Sequence, residues 1–359
     1  MSLLGVLFAG GESRRFGGAK ALARLHGRPL WAFGVDALRP CGRVVALAND
    51  PAVARALAVE TRPDVRQGRG PLGGLETALL WARETGSAGA LILGCDMPWV
   101  GQGPVSAILA AWDGKGVVSI EADGRWGLEP MCSAVPVSAL RDVRRRLDEG
   151  TLELGGALSA MGPRIIPGRS EWSGVLRSVN RPGDLPPPTA AVVGNKKSGK
   201  TTVAVALIAE LERRGRRVMS AKHGHHFRLD TEGTDSWRHR HEGRAERVLL
   251  AGPEGFALQG SWGDAVEPDL EILACRHLAG AELVIAEGFR NSCVPKVEVW
   301  RRRAQPEPAI DPDQTVEAGV FVRVTDEPDA PSPVPTLDAD APDLAARLAD
   351  LVEARLLGD

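Results

Sequence analysis

Ala190-Ala-Val-Val-Gly-Asn-Lys-Lys-Ser-Gly-Lys-Thr-Thr202 joins a short buried-strand pattern to a glycine-rich turn and then to a helical pattern over 200–213. Within it, Gly194 to Thr202 fits G-x-x-x-x-G-K-[ST], and the flanking strand and helix are the context that pattern needs. Backbone amides of Asn195, Lys196, Lys197, Ser198, Gly199 and Lys200 then form a nest for phosphate oxygens. The Lys200 ammonium reaches the outer phosphates, and the Thr201 hydroxyl, followed by Thr202, is a ligand for Mg²⁺. Leu283-Val-Ile-Ala-Glu-Gly-Phe289 places Glu287 at a strand end, as a metal-side acid or as a cap for the next turn. Between the two lies Ala221-Lys-His-Gly-His-His-Phe-Arg-Leu-Asp230, followed by Gly233-Thr-Asp-Ser236. A zinc reading of His223, His225 and His226 lacks a nearby cysteine and a structural-site spacing. We read the segment as a polar loop over the phosphate site, with Asp230 or Asp235 available to the magnesium shell.

Upstream, Arg181-Pro-Gly-Asp-Leu-Pro-Pro-Pro-Thr189 strings together prolines, which lack amide donors and resist both helix and central strand. A domain boundary is placed there: a first domain over 1–185, a Pro-rich linker over 186–189 and a second domain over 190–359. The first domain opens as the second does, with an apolar strand pattern over 3–9, a Gly10-Gly11 turn and the basic side chains Arg14, Arg15 and Lys20. Paired glycines after a strand let bare amides approach phosphate oxygens that a Cβ would exclude. Strand-like runs at 44–48, 90–93 and 116–120 alternate with helical patterns at 30–38, 52–57, 73–84 and 105–112. In the second domain strands are expected near 190–193, 217–221, 247–250, 283–286 and 296–300. Beyond them, 304–343 reads as loop with one strand at 320–324, followed by a terminal helix at 344–357. The class is α/β, two doubly wound domains with mostly parallel sheets and ligands at the carboxyl ends of the strands.

With 359 residues, 43% hydrophobic and 25% charged, the composition is that of a globular protein and argues against disorder or a fibrous repeat. A net charge of -2 gives no reason to expect nucleic acid or an anionic membrane as the main partner. The halves differ: 22 basic and 18 acidic residues over 1–185, against 22 and 28 over 186–359. Between Ala304 and Asp359, 13 acidic residues face three arginines, which reads as a solvated end. Arg144 to Arg146, Arg213 to Arg217 and Arg301 to Arg303 read as solvated charge, because no aromatic residues interleave them as in a nucleic-acid surface. Five cysteines, an odd number without a C-x-x-C pair, point to reduced thiols in the cytoplasm. The N-terminus has no basic leader, and no run reaches the ~20 apolar residues of a membrane span.

Phe8-Ala-Gly-Gly-Glu-Ser-Arg-Arg-Phe-Gly-Gly-Ala-Lys20 resembles the signature loop of Rossmann-like nucleotidyltransferases, and its Ala-Gly-Gly resembles the molybdenum cofactor guanylyltransferases. Gly70-Pro-Leu-Gly-Gly74, Leu93-Gly-Cys-Asp-Met-Pro98 and Ser178-Val-Asn-Arg-Pro-Gly-Asp-Leu185 follow in that family's order. Taken alone, Asp96 could hold Mg²⁺ at a strand end or cap a helix before Met97-Pro98; the resemblance assigns the metal. It also implies nucleotide contacts from Phe8, Ala9, Gly10, Gly11, Lys20, Asp64 and Gly73, and acceptor contacts from Glu129, Pro130 and Asn180. Arg15, Lys20 and Asp96 become the catalytic candidates. The family has an Asp where this chain has Ala19, and an Asn where it has Leu47. Residues two apart on a strand share a face, so Asn49 is the substitute.

Lys222-His-Gly-His-His226 with Gly233-Thr-Asp-Ser236, after the phosphate loop, resembles the molybdopterin-guanine dinucleotide biosynthesis adapter family, implying a P-loop NTPase that binds GTP and hydrolyses it weakly. The chain then reads as a fusion that makes a guanine dinucleotide cofactor from GTP and molybdopterin with Mg²⁺. Expected partners are other molybdenum cofactor biosynthesis proteins and apo-molybdoenzymes, with a homo-oligomer left open. Three alternatives stay open: cytidylyl transfer from CTP, a P-loop regulatory or scaffold protein with an inactive first site, and a small-molecule kinase.

Overall fold

The computed structural model describes residues 2–10, 16–169, 172, 174–224, 230–262 and 267–358. The chain divides into two compact units, Met1–Leu185 and Pro186–Asp359.

The first unit begins with β1 (Leu3–Phe8), a short hairpin of β2 (Arg24–Leu25) and β3 (Arg28–Pro29), α1 (Leu30–Leu38) and β4 (Val44–Leu47). It continues with α2 (Pro51–Ala56), β5 (Glu60–Arg62), α3 (Gly70–Glu84), β6 (Gly89–Gly94) and α4 (Gln102–Ala111). β7 (Val118–Ile120), β8 (Cys132–Pro136), α5 (Leu140–Asp148), α6 (Leu154–Ser159) and β9 (Arg164–Ile166) complete it. The sheet order is β5-β4-β1-β6-β8-β7-β9. β5, β4, β1 and β6 run parallel, and β8 is antiparallel to both β6 and β7. Because side chains alternate along a strand, β1 serves two cores. Leu3 and Leu7 pack in the layer containing α1 and α4 residues Leu38, Val105 and Ile108. Leu4, Val6 and Phe8 pack in the layer containing Leu75 and Leu79 of α3 and Val143 of α5. Burial on both faces explains why β1 and β6 read as unbroken apolar runs. The strands β5, β8 and β9 and the helices α5 and α6 are additions to the sequence reading.

In the second unit, β10 (Thr189–Val193), α7 (Lys200–Arg213), β11 (Val218–Lys222), α8 (Asp235–His241), β12 (Arg247–Gly252) and β13 (Gly255–Gly260) come first. α9 (Leu270–His277), β14 (Leu283–Glu287), β15 (Lys296–Trp300), β16 (Val320–Thr325), β17 (Thr336–Asp338) and α10 (Leu344–Leu356) follow. The main sheet is β11-β14-β10-β15-β16-β17, parallel throughout. One face carries α7 and α10, with Leu207, Leu211, Leu348 and Val352 buried against Val192, Ile285 and Val299. The strand expected near 247–250 lies outside this sheet. β12 pairs antiparallel with β13 because only Pro253 and Glu254 separate Gly252 from its partner Gly255, and so short a link cannot return a parallel strand.

The expectation of a solvated acidic end holds for Glu307, Asp311, Asp313, Glu317 and Asp329, which are exposed, and is corrected for the acids that meet arginines. β17 extends the sheet, and acids of this region pair with arginines of both basic runs of the unit. Arg214 donates to Asp350 and Glu353 at 2.7 Å each, and Arg216 donates to Glu353 at 2.6 Å. Arg301 and Arg303 meet Asp340 at 2.9 and 3.0 Å, and Arg302 meets Glu327 at 3.2 Å. The pairs of Arg302 and Arg303 are exposed and contribute about 0–1 kcal/mol each, whereas those of Arg214 and Arg216 with Glu353 are partly buried between α7 and α10. Arg144 and Arg146 are likewise paired, with Glu76 and Asp142. Among the described residues, no helix is long and apolar enough to cross a membrane.

Candidate functional site

In the first unit the order β4-β1-β6 puts a topological switch point beside β1, where open α/β sheets bind ligands beyond the strand ends. Phe8 pairs with Leu47 on β4 and with Gly94 on β6, so the residues after all three strands emerge together. Lys20 Nζ donates to Asp96 Oδ2 at 2.7 Å, bringing a loop cation and a strand-end carboxylate to one point. Both side chains stay partly exposed, at 17% and 22%, and therefore open to a ligand. Glu129 lies close by. Burial pushes its carboxyl above the usual range, the charge of Asp96 adds to that rise, and a 3.0 Å hydrogen bond from the Met131 amide opposes it.

Asn49 and Asp64 form a two-way clasp. Asn49 Nδ2 donates to Asp64 Oδ2 at 2.7 Å, and the Asp64 amide donates to Asn49 Oδ1 at 2.8 Å. Burial raises the Asp64 carboxyl, partly offset by that hydrogen bond. Leu47 is buried in the sheet, whereas Asn49 is exposed just past β4, next to Gly10. A Cβ on Gly10 would lie 3.1 Å from the Asn49 amide nitrogen. Ala9 donates its amide to Leu47. The Phe8 ring fills the space over Gly74, where a Cβ would come within 2.7 Å of it. Gly73 is buried in the first turns of α3, its carbonyl accepting from Thr77 Oγ1 at 3.2 Å. Pro130 is half-buried beside Glu129. The Asn180 amide donates to Asp184 Oδ2 at 2.7 Å, and the neighbouring Val179 amide donates to the Asp96 carbonyl at 2.8 Å. Asn180 thus sits in a local turn tied to the Asp96 strand end. Gly11, Arg14 and Arg15 lie outside the described residues.

In the second unit the turn after β10 leads into α7, with Lys197 and Gly199 at φ of 67° and 93°. Lys200 Nζ arches back to the Asn195 carbonyl at 2.7 Å, over the amides it would share with a phosphate. Thr201 Oγ1 donates to Glu287 Oε1 at 2.8 Å, so the two proposed metal-side oxygens already meet. Lys222 donates to the other Glu287 oxygen at 3.0 Å, and the sheet register explains this, because Lys222 is the direct partner of Glu287. Burial pushes the Glu287 carboxyl up, but the hydrogen bonds from Thr201 and Lys222 together with the charges of Lys222 and Lys200 outweigh it, and the net shift is downward. Burial lowers the Lys200 ammonium, with Glu287 opposing. Ser198 is buried. Asn195 is held at both ends of its amide, by the Glu307 carbonyl and by Arg290. Lys196 and Thr202 are exposed.

Asp230 accepts from Thr231, Thr234 and Ser236, a closed local turn, and Asp235 opens α8. His223 lies 3.4 Å from Glu267; His225 and His226 are outside the described residues. Among the described residues no group of three or more His, Cys, Asp or Glu could hold a metal. Sequence reading missed Lys222 and Arg290. A basic residue ending a strand that pairs with the acid-bearing strand would have been the signal for the first.

Gly194 tolerates no side chain. A Cβ there would lie 2.3 Å from the Val299 carbonyl and 2.7 Å from Ser198 Oγ. Gly194→Ala is expected to weaken nucleotide binding to the second unit by at least about tenfold, since backbone aim governs an amide nest. Titration of a fluorescent GTP analogue, with Lys20→Ala in the background to silence the first unit, measures this. Unchanged affinity would refute it.

Residues 5–161 match the family described as MobA-like NTP transferase domain, and residues 189–321 match molybdopterin guanine dinucleotide synthesis protein B. A probable molybdenum cofactor guanylyltransferase of Opitutus terrae is 34% identical over 200 residues, spanning 51% of this chain and 93% of that protein. A molybdopterin-guanine dinucleotide biosynthesis adapter protein of Haemophilus influenzae is 37% identical over 127 residues, spanning 34% of this chain and 70% of its own. A probable molybdenum cofactor guanylyltransferase of Deinococcus radiodurans is 33% identical over 186 residues, 52% of this chain and 93% of that protein. The chain therefore belongs through its first unit to the molybdenum cofactor guanylyltransferases, a family of nucleotidyltransferases, and through its second to the molybdopterin guanine dinucleotide synthesis protein B family.

Proposed function

We propose that the first unit transfers GMP from GTP to the terminal phosphate of molybdopterin, and that the second binds and slowly hydrolyses GTP as an adapter in the same pathway. The observation that carries this reading is the Lys20–Asp96 pair at the strand-end crevice. A phosphate oxygen of molybdopterin attacks the α-phosphorus of GTP, the bond from that phosphorus to the bridging oxygen breaks, and pyrophosphate leaves with the electron pair. Such transfers rest on positioning and on neutralising charge, so no side-chain nucleophile is required. Lys20, with Arg15, neutralises phosphate oxygens, and the backbone from Phe8 to Gly11 cradles them. Asn49 holds Asp64 so that a carboxylate faces the base, and Glu129, Pro130 and Asn180 face the acceptor.

The carboxylates of Asp96 and Glu129 fit a hard divalent cation, and Mg²⁺ needs few protein ligands when phosphates supply the rest. When bound, it would add positive charge where negative charge builds up at the reacting phosphates. In the second unit Thr201 and Glu287 suit the same ion.

With purified protein and molybdopterin, GTP should support pyrophosphate release and CTP should not. Lys20→Ala should lower that release by about 100-fold or more, and Lys200→Ala should leave it unchanged while abolishing the slow GTP hydrolysis. Preference for CTP, or transfer untouched by Lys20→Ala, would overturn the assignment.

A further inference from the structure

The second unit has a cavity of about 530 Å³ that phosphates alone do not fill, opening beside Gly194 at the phosphate loop. Its lining falls into three chemistries. Arg290 stands at the loop end, with its guanidinium on Asn195 Oδ1 at 3.3 Å. Two rings line it: Phe289, held at φ 53°, lies with its centroid 5.2 Å from that of His223, the planes tilted by 55°. Leu270 adds a buried apolar wall. Glu267 and Asp269 supply carboxylates, and Asp269 does not spend its own on capping α9. A non-glycine residue at positive φ is a strained arrangement that clusters at ligand sites. Together the lining offers ring and apolar faces, carboxylate acceptors and one guanidinium, a set that suits a flat ring bearing N–H donors and an attached anion.

We propose that this cavity binds the pterin end of a phosphorylated pterin, its 2-amino-4-oxopyrimidine edge donating to Asp269 and Glu267 and its phosphate meeting Arg290. The inference rests on the reading that molybdopterin is the pathway substrate, because guanine carries the same donor edge and only that reading favours a pterin. Arg290, rather than the amide nest, takes the phosphate, so the pterin and a nucleotide occupy the unit together.

The test is equilibrium dialysis of 6-hydroxymethylpterin monophosphate against the full chain saturated with α,β-methylene GTP, whose uncleavable bridge prevents transfer. Two equivalents should bind, and the Glu267→Gln, Asp269→Asn double variant should retain one, its second affinity weakened by at least tenfold. Both substitutions are at exposed positions, which leaves the core intact. Two equivalents in both proteins, or a single equivalent that the variant keeps, would overturn the cavity assignment and leave the transferase reading standing. A single equivalent that the variant loses would support the cavity and overturn pterin binding in the first unit. Displacement of the variant-sensitive equivalent by GMP as readily as by the phosphopterin would make the cavity a guanine site and overturn the proposal, and no binding at all would overturn both.

Discussion

Asp96→Asn is expected to lower GMP transfer by about 100- to 1000-fold, the range seen when a group aimed at developing charge is removed. The substitution keeps shape and keeps an oxygen that can accept from Lys20, so the 2.7 Å contact survives as a neutral hydrogen bond. What disappears is the negative charge that would share a divalent cation with the phosphates. The Lys20–Asp96 pair is partly exposed and contributes only about 1 kcal/mol to stability at most. A large fall in rate with a near-constant melting temperature would therefore locate the effect in the reaction. Pyrophosphate release at saturating Mg²⁺ measures it. If the loss appears in kcat and not in KM for GTP, the charge acts mainly in the transition state. Full activity would remove Asp96 from the metal role, and Glu129, whose carboxyl already feels the charge of Asp96, would be the residue to replace next.

The glycine turns were legible because their chemistry is local. In the second unit strand, turn and helix follow one another directly, and Gly194, Lys200 and Thr201 take their places from that order; in the first, the β2–β3 hairpin separates the turn from α1, and Gly10 and Lys20 were legible from the glycine pair after β1 and the basic residues that follow it. Glu287 was legible as a strand-end acid. Its partner Lys222 was not, because the pairing depends on the register of β11 against β14 across 65 residues. Similarly, β5, β9 and β17 are three-residue strands in which Leu337 of β17 alone is buried, too short to show an alternation. β8 was missed although it is fully buried, since Cys132-Ser-Ala-Val-Pro136 has a single β-branched residue, Val135, and ends on a proline. The acidic tail was misjudged for a different reason. Charge counts say how many acids a segment has, whereas the ion pairs of Asp350 and Glu353 with Arg214 span 136 and 139 residues and exist only once the sheet brings α7 and α10 together.

Glu298→Ala is expected to destabilise the second unit by about 3–5 kcal/mol, the cost of leaving a buried charge without its partner. Glu298 is fully buried on β15 and Arg323 on β16 is 5% exposed, with 2.8 Å between Arg323 NH2 and Glu298 Oε2 and 2.9 Å from Arg323 Nε. Glu298 Oε1 also accepts from the Ile310 amide, so the substitution strands a guanidinium and a backbone donor together. The pair itself need not be stabilising, because desolvating two ions offsets much of their attraction. The double replacement Glu298→Met, Arg323→Met should therefore recover most of the loss, and calorimetry on single and double variants separates the two contributions. Recovery would show that the damage lay in the unpaired charge; a double variant as unstable as Glu298→Ala would place it in packing or in the orphaned Ile310 amide. Function should follow stability here. Val299 is the next residue on β15, and its carbonyl is the atom that closes over Gly194. Loosening β15 at Glu298 should thus weaken nucleotide binding to the second unit while GMP transfer by the first continues, whereas a fall in both would mean that the two units do not act independently.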